Sequence, residues 1–396
     1  MPLKFKILML FILMTFLFGC DKMPPMSGTI TTTKDSEWAP VVYLIEPQNW
    51  SDVASSFVGN VIDSAKMDAN GHFAFEHLPN TTELRMFELA IQKKGGTYYP
   101  NRLDNDDPNT SNYFPIVYKN GETIVVKTDA AHFQRNFAIE KPSAENAAMI
   151  QLRDIRQAAF DTFLAVKNPN THDASALLDE AKATHSFQQA LMQFAKETPY
   201  LLPSLTAIRW VSVEGNYERV PEFIVSQAER WNAKMRDNLW VKQLSQKADR
   251  QSLPVLIGDQ ILNYTLPMLS GNTLPLRQLL GKRLTVLDLW ASWCAPCRKE
   301  NRNYLVPIWD KYHDKGFQII GYALDASQNA WSSAIKKDGA DRWLHASDLQ
   351  GDNAALFKQL RLTSIPANFI LDENGKVLAK NLHGEALLQF VEVFFE

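Results

Sequence analysis

The sequence predicts an α/β domain over residues 253–396, preceded by an all-β, sandwich-like domain (28–140) and a helical region (141–252). Three observations carry this division. Short apolar runs and helical periodicities alternate after residue 253. Alternating apolar and polar runs separated by turn residues fill 28–140, and Asn-Gly between such runs is a strong hairpin signal. Between the two, the apolar period changes from two to 3.6. At 396 residues the chain has room for two or three domains, and 45% hydrophobic with 21% charged residues suits chains that bury cores. A formal net charge of -3 argues against a nucleic-acid partner.

Taken in order, residues 1–20 read as a targeting segment. Lys4 and Lys6 supply positive charge, and residues 7–18 are apolar apart from Thr15. That run is short for a bilayer span, which takes about 20 residues. It ends in Leu17-Phe18-Gly19-Cys20, which resembles a bacterial lipobox, with Phe18 bulkier than the usual residue. The resemblance implies cleavage before Cys20, lipidation of its thiol and a mature chain tethered to a membrane. An uncleaved anchor is the alternative. Either way the chain would face an exported, oxidising compartment. Residues 21–27 then form a tether.

Strands are expected at 28–33, 41–45, 73–75, 84–91, 114–118 and 123–128, with turns at 68–72 and 119–122. Residues 104–109 are acidic but lack the glycine and terminal Glu of an EF-hand loop, so they read as a solvated loop. Ala147, Ile150, Leu152, Ile155, Ala159 and Phe163 fit one helical face, and 176–196 and 221–247 fit two more helices. Pro169, Pro199 and Pro203 punctuate them. No chemistry is legible here; His172 and His185 read as surface or packing residues.

In the last domain a hairpin (264–268 with 274–276) precedes Leu284-Thr285-Val286-Leu287-Asp288-Leu289, apolar enough to be a buried central strand. Directly after it stands Trp290-Ala291-Ser292-Trp293-Cys294-Ala295-Pro296-Cys297. From Pro296 to about Lys315, Leu305, Ile308, Trp309 and Tyr312 recur at helical spacing, and Gly316 supplies the stop. Two cysteines thus sit where a strand meets a helix N-terminus, where the dipole and free N–H groups favour a thiolate. Two intervening residues let the sulfurs close a small disulfide ring. Cys294 can then attack a disulfide and Cys297 resolve the mixed one, with no cofactor. A closed zinc site would need four ligands, and the only further cysteine is Cys20. The spacing therefore points to redox chemistry.

From Leu287 to Glu300 the sequence resembles the active-site segment of the thioredoxin superfamily, and most of all the membrane-anchored TlpA/ResA type. Thr363-Ser364-Ile365-Pro366 is similar to the family's cis-proline loop, and Asn368 to Lys376 to the hairpin that follows it. The resemblance spans about residues 255–396. It implies a thioredoxin-like order of elements, with strands at 317–324, 369–371 and 377–379 and helices at 330–337, 354–362 and 385–395. The 341–352 stretch resembles the extra element of the TlpA/ResA group. Residues 28–252 more loosely resemble the regions that precede such domains in Bacteroidota lipoproteins.

Roles follow from the resemblance and the chemistry together. Cys294 is the nucleophile and Cys297 the resolving thiol, the two forming the redox-active disulfide. Asp288, six residues before Cys294, stands where thioredoxins keep a buried carboxylate. Burial would raise its pKa and let it take the proton of Cys297. Glu300 either tunes the cysteines, as the family implies, or is a favourable first-turn carboxylate. Trp293 walls the groove, and Ile365 beside a cis Pro366 offers its backbone to an extended substrate strand. Arg298 and Lys299 add positive charge near the thiolate. His345 and His383 carry no motif.

No histidine separates the cysteines, so the resemblance favours a reductase over an oxidant. It would act on disulfides of exported proteins, apocytochrome c among them, and draw electrons from a transmembrane donor of the DsbD or CcdA type. Two rivals belong to other classes. A peroxiredoxin-type thiol peroxidase shares the fold, but Trp293 before Cys294 argues against it. A surface binding lipoprotein with a vestigial thioredoxin unit is opposed by the intact CxxC, Asp288 and Ser364-Ile365-Pro366.

Overall fold

In the computed structural model, residues 24–55, 57–95, 107–165 and 174–396 are described; Cys20, His172 and residues 104–106 of the acidic run lie outside them. The N-terminal strands are β1 (Met26–Thr31), β2 (Val41–Glu46), β3 (Asn60–Lys66), β4 (His72–Phe75), β5 (Arg85–Ala90), β6 (Tyr113–Tyr118), β7 (Ile124–Asp129) and β8 (Ala138–Glu140). They form two four-stranded sheets, ordered β4-β1-β7-β8 and β3-β2-β5-β6. Strand β1 runs parallel to β7 and antiparallel to β4. The sheets meet through aromatic side chains, Phe114 of β6 stacking on Phe137 with ring centroids 4.3 Å apart.

Helices follow: α1 (Ala144–Phe163), α2 (Ala174–Glu197), α3 (Leu201–Val211), α4 (Pro221–Met235) and α5 (Leu239–Lys247). Ser143 caps α1 by accepting from Asn146 N. These helices are not an independent body. A single core runs from Met26 through Trp231 to Leu256, taking in both sheets and the helices. Polar bonds cross it: Trp50 Nε1 donates to Leu205 O at 3.1 Å, and Trp210 Nε1 to Tyr113 Oη at 3.1 Å. Buried indole N–H groups thereby find acceptors on the opposite element.

Some elements differ from the sequence expectation. Strands β3 and β8 were not expected: β3 (Asn-Val-Ile-Asp-Ser-Ala-Lys) lacks clean alternation because it is a sheet edge, and β8 is three residues long. Pro203, read as a breaker, lies in the first turn of α3, where a missing N–H costs nothing. The expected single helix over 221–247 is two, α4 and α5. Asn238 between them caps α5, its side-chain oxygen accepting from Trp240 N at 2.9 Å and Val241 N at 3.2 Å.

The C-terminal domain contains β9 (Thr265–Pro267), β10 (Thr273–Pro275), α6 (Leu276–Leu279), β11 (Leu284–Trp290), α7 (Ala295–Glu300), α8 (Val306–Tyr312), β12 (Phe317–Ala323), α9 (Gln328–Asp338), β13 (Leu344–Ala346), α10 (Ala355–Gln359), β14 (Ala367–Asp372), β15 (Val377–Lys380) and α11 (Glu385–Phe395). A five-stranded sheet, ordered β13-β12-β11-β14-β15, carries it. Strand β11 is central, parallel to β12 and antiparallel to β14, and all seven of its residues are buried, hence its near-continuous apolar sequence. Helices α7 and α8 are one rod joined by a π-helical segment, Asn301–Leu305, placed just before Pro307, which cannot donate a helical bond. Gly316 ends it at φ 96°. Strand β13 is a three-residue part of the 341–352 stretch and extends the sheet beyond β12.

Candidate active site

Strand β11 ends at Trp290, and four residues later Cys294 is the N-cap of α7. Its sulfur accepts from Cys297 N at 3.3 Å, and Pro296 occupies the first turn, where its fixed φ suits a helix start. Cys294 and Cys297 form a disulfide with Cα atoms 5.3 Å apart. Cys294 is 5% exposed and Cys297 2%, so the nucleophile is only slightly the more open of the two.

The approach to Cys294 is fixed by Asp325, which accepts from both the backbone N–H (2.9 Å) and the hydroxyl of Ser292. Trp293 stands 61% exposed, its indole N–H donating to Leu324 O at 3.3 Å. Beside it an open groove of about 510 Å³ is lined by Ser292, Trp293, Ala295, Arg298, Lys299 and Arg302. Arg298 has a partner that the sequence did not reveal. Its guanidinium is paired with fully buried Asp338, which also takes Arg302 at 2.6 Å, and its Nη1 donates to Ser292 O at 3.1 Å. A charge so compensated contributes little field at the sulfur.

Beneath the helix, Asp288 is buried on β11 between Gly321 of β12 and Asn368 of β14. Burial foremost, and the charge of Glu300 second, push its carboxyl well above the ordinary carboxylate range. Glu300 is itself buried. It accepts from Gly384 N at 3.0 Å and pairs with His383 Nδ1 at 2.9 Å, so it is more than a solvated first-turn carboxylate. His383 was missed because nothing near it in sequence signals a partner 83 residues away. His345 is packed near Trp290, with Nε2 donating to Ala340 O at 2.7 Å, and burial pushes its pKa down to about 4. It is a packing residue against Gly321, where an added Cβ would lie 3.0 Å from the imidazole.

The Ile365–Pro366 peptide is cis, and both residues are half-buried at the start of β14, which pairs with β11. A loop of the helical region reaches this turn: Glu218 and Arg219 hydrogen-bond to Thr363, Ser364 and Pro366. Neither was expected from the sequence, since no local pattern marks a contact across 145 residues.

The family model described as Redoxin matches residues 256–387. The thiol-disulfide oxidoreductase ResA of Bacillus thuringiensis subsp. konkukian is 28% identical over 140 residues, which is 35% of this chain and 77% of that protein. This C-terminal domain belongs to the thioredoxin superfamily. It is a thiol-disulfide oxidoreductase domain of the TlpA/ResA type. The thioredoxin-like protein YneN of Bacillus subtilis is 27% identical to it over 138 residues, 34% of this chain and 76% of that protein. Among solved structures, a thiol-disulfide oxidoreductase from Bacteroides fragilis is 31% identical, covering 34% of this chain and 98% of its own, with a TM-score of 0.32. The thioredoxin domain of a Bacteroides vulgatus thiol-disulfide oxidoreductase is 28% identical over 36% of this chain and 99% of its own, with a TM-score of 0.33.

Proposed function

We propose that this chain is an exported, membrane-tethered reductase of protein disulfides. The observation that carries the reading is a CxxC pair at a helix N-terminus with the buried carboxyl of Asp288, its pKa raised by burial, on the strand beneath it. With the pair reduced, the Cys294 thiolate attacks one sulfur of a substrate disulfide, and the other leaves as a thiolate. The Cys297 thiol gives its proton to Asp288 and attacks Cys294, breaking the mixed disulfide and releasing the second substrate thiolate. Two electrons pass to the substrate and the pair is left as the disulfide.

Glu300 and His383 hold the far side of the Asp288 environment and tune its proton. Trp293 and the Ile365–Pro366 edge receive the substrate segment. Substrates are disulfides of exported proteins, with apocytochrome c cysteines as one class and mispaired cysteines as another. Re-reduction falls to a transmembrane donor of the DsbD or CcdA type. Support for export and tethering lies in the basic start, apolar run and Leu17-Phe18-Gly19-Cys20 of the sequence. Among the described residues no helix is long and apolar enough to cross a membrane. The mature chain then keeps only the exchange pair as cysteines, so its own turnover has no structural disulfide to scramble.

Cys20→Ser tests the tether. In cells labelled with radioactive palmitate, the native chain is expected to carry label and to partition with membranes, whereas the variant loses the label. Equal labelling of both would contradict lipidation at Cys20.

A further inference from the structure

The helical region touches the catalytic domain at the exchange site itself. The turn between α3 and α4, residues 212–220, is built rigidly: Tyr217 is buried with its hydroxyl donating to Ile208 O at 3.0 Å, and Asn216 Oδ1 accepts from Glu218 N at 3.0 Å. From this base two charged side chains reach the 363–366 loop. Glu218, 7% exposed, uses one oxygen to accept from both the backbone N–H of Thr363 (2.9 Å) and its hydroxyl. Arg219 Nη2 donates to Ser364 Oγ at 2.6 Å and to Pro366 O at 3.3 Å. Ile365 receives no hydrogen bond from either side chain. Its backbone takes part in none of the hydrogen bonds found among the described residues.

Two more contacts extend this arrangement. Glu222, in the first turn of α4, accepts from Ile257 N at 2.9 Å and pairs at 2.6 Å with the nearly buried Lys380 of β15. On the other flank, α2 runs beside the active-site helix α7. Among the described residues the second oxygen of Glu218 is buried without a hydrogen-bond partner. Loops are ordinarily the mobile parts of a fold. Charge-assisted bonds to three of the four residues of this one oppose that mobility.

We propose that Glu218 and Arg219 are positioning residues for the exchange reaction: they hold the 363–366 loop so that the Ile365 backbone can pair with an extended peptide carrying the disulfide. The helical region is then part of the substrate site. This inference rests on the oxidoreductase reading above.

The test uses the pre-reduced full-length chain in detergent, mixed in single-turnover experiments with a disulfide-linked peptide or with bis(2-hydroxyethyl) disulfide. A peptide needs the loop edge, whereas the small disulfide needs only Cys294. In Arg219→Ala the peptide rate is expected to fall about tenfold more than the small-disulfide rate, with the equilibrium potential of the cysteine pair unmoved. Ser364→Ala removes the acceptor from the opposite side and is expected to shift the same ratio in the same direction, less strongly. It also carries the test should Arg219→Ala fail to fold. A ratio within twofold of wild type in the folded variants, or two rates falling in proportion, overturns the proposal. Wild-type protein that neither disulfide oxidises would instead overturn the oxidoreductase reading beneath it.

Discussion

Cys294→Ser is expected to lower the rate of disulfide exchange by on the order of 10³-fold or more, because a serine hydroxyl at neutral pH supplies no comparable nucleophile. The fold should survive. The helix N-cap position tolerates Ser better than Cys, and the side chain can still accept from Cys297 N as the sulfur does at 3.3 Å. Cys297→Ser has a different signature. Attack by Cys294 still proceeds, but resolution does not, so a mixed disulfide with the substrate accumulates and is seen as a reductant-sensitive band on a non-reducing gel. Equal trapping by both variants, or exchange that persists in Cys294→Ser, would contradict the assignment of the two sulfurs.

Asp288→Asn carries the second large effect, and it reads out in two independent ways. An amide cannot accept the Cys297 proton, so release of the mixed disulfide should slow by on the order of 10²-fold at neutral pH, the lower end for a positioned acid or base. Stability should move the other way. Burial and then Glu300 raise the Asp288 pKa in the folded chain, so the folded state holds a proton that the unfolded chain releases. The stabilisation this gives is complete below the unfolded value, about 3.9, and is lost as pH rises through the higher folded value. The amide does not titrate. Denaturant melts of the variant and wild type should therefore diverge in the variant's favour as pH rises from about 4 towards 8. A pH-independent difference, together with an unchanged release rate, would remove Asp288 from the mechanism.

The parts of this molecule that were legible in the sequence are those whose cause is local. Strand β11, the cysteine pair and the helix after it lie within about thirty consecutive residues, and each announces itself by period, spacing or a stop residue. Asp288 was legible because it stands six residues before Cys294, inside an apolar run and where the resembling family keeps a buried carboxylate. What could not be read are pairings closed by the fold. The Arg298–Asp338 pair joins side chains 40 residues apart, and the Glu300–His383 pair gives a buried partner to a residue with no motif. Helical periodicity shows that a face is buried but not against what. The core that unites residues 26–256, and the turn that places Glu218 and Arg219 at the 363–366 loop, were therefore invisible until the elements were assembled. Edge strand β3 and the break at Asn238 were missed for the opposite reason: their signals are local but weak.

The most direct test of the account is the equilibrium potential of the Cys294/Cys297 pair, measured on the full-length chain in detergent against graded glutathione and dithiothreitol buffers. A reductase that keeps exported thiols reduced requires a value near thioredoxin's, roughly −270 mV. A value near −120 mV, where strong disulfide donors lie, would contradict that direction and make the protein an oxidant.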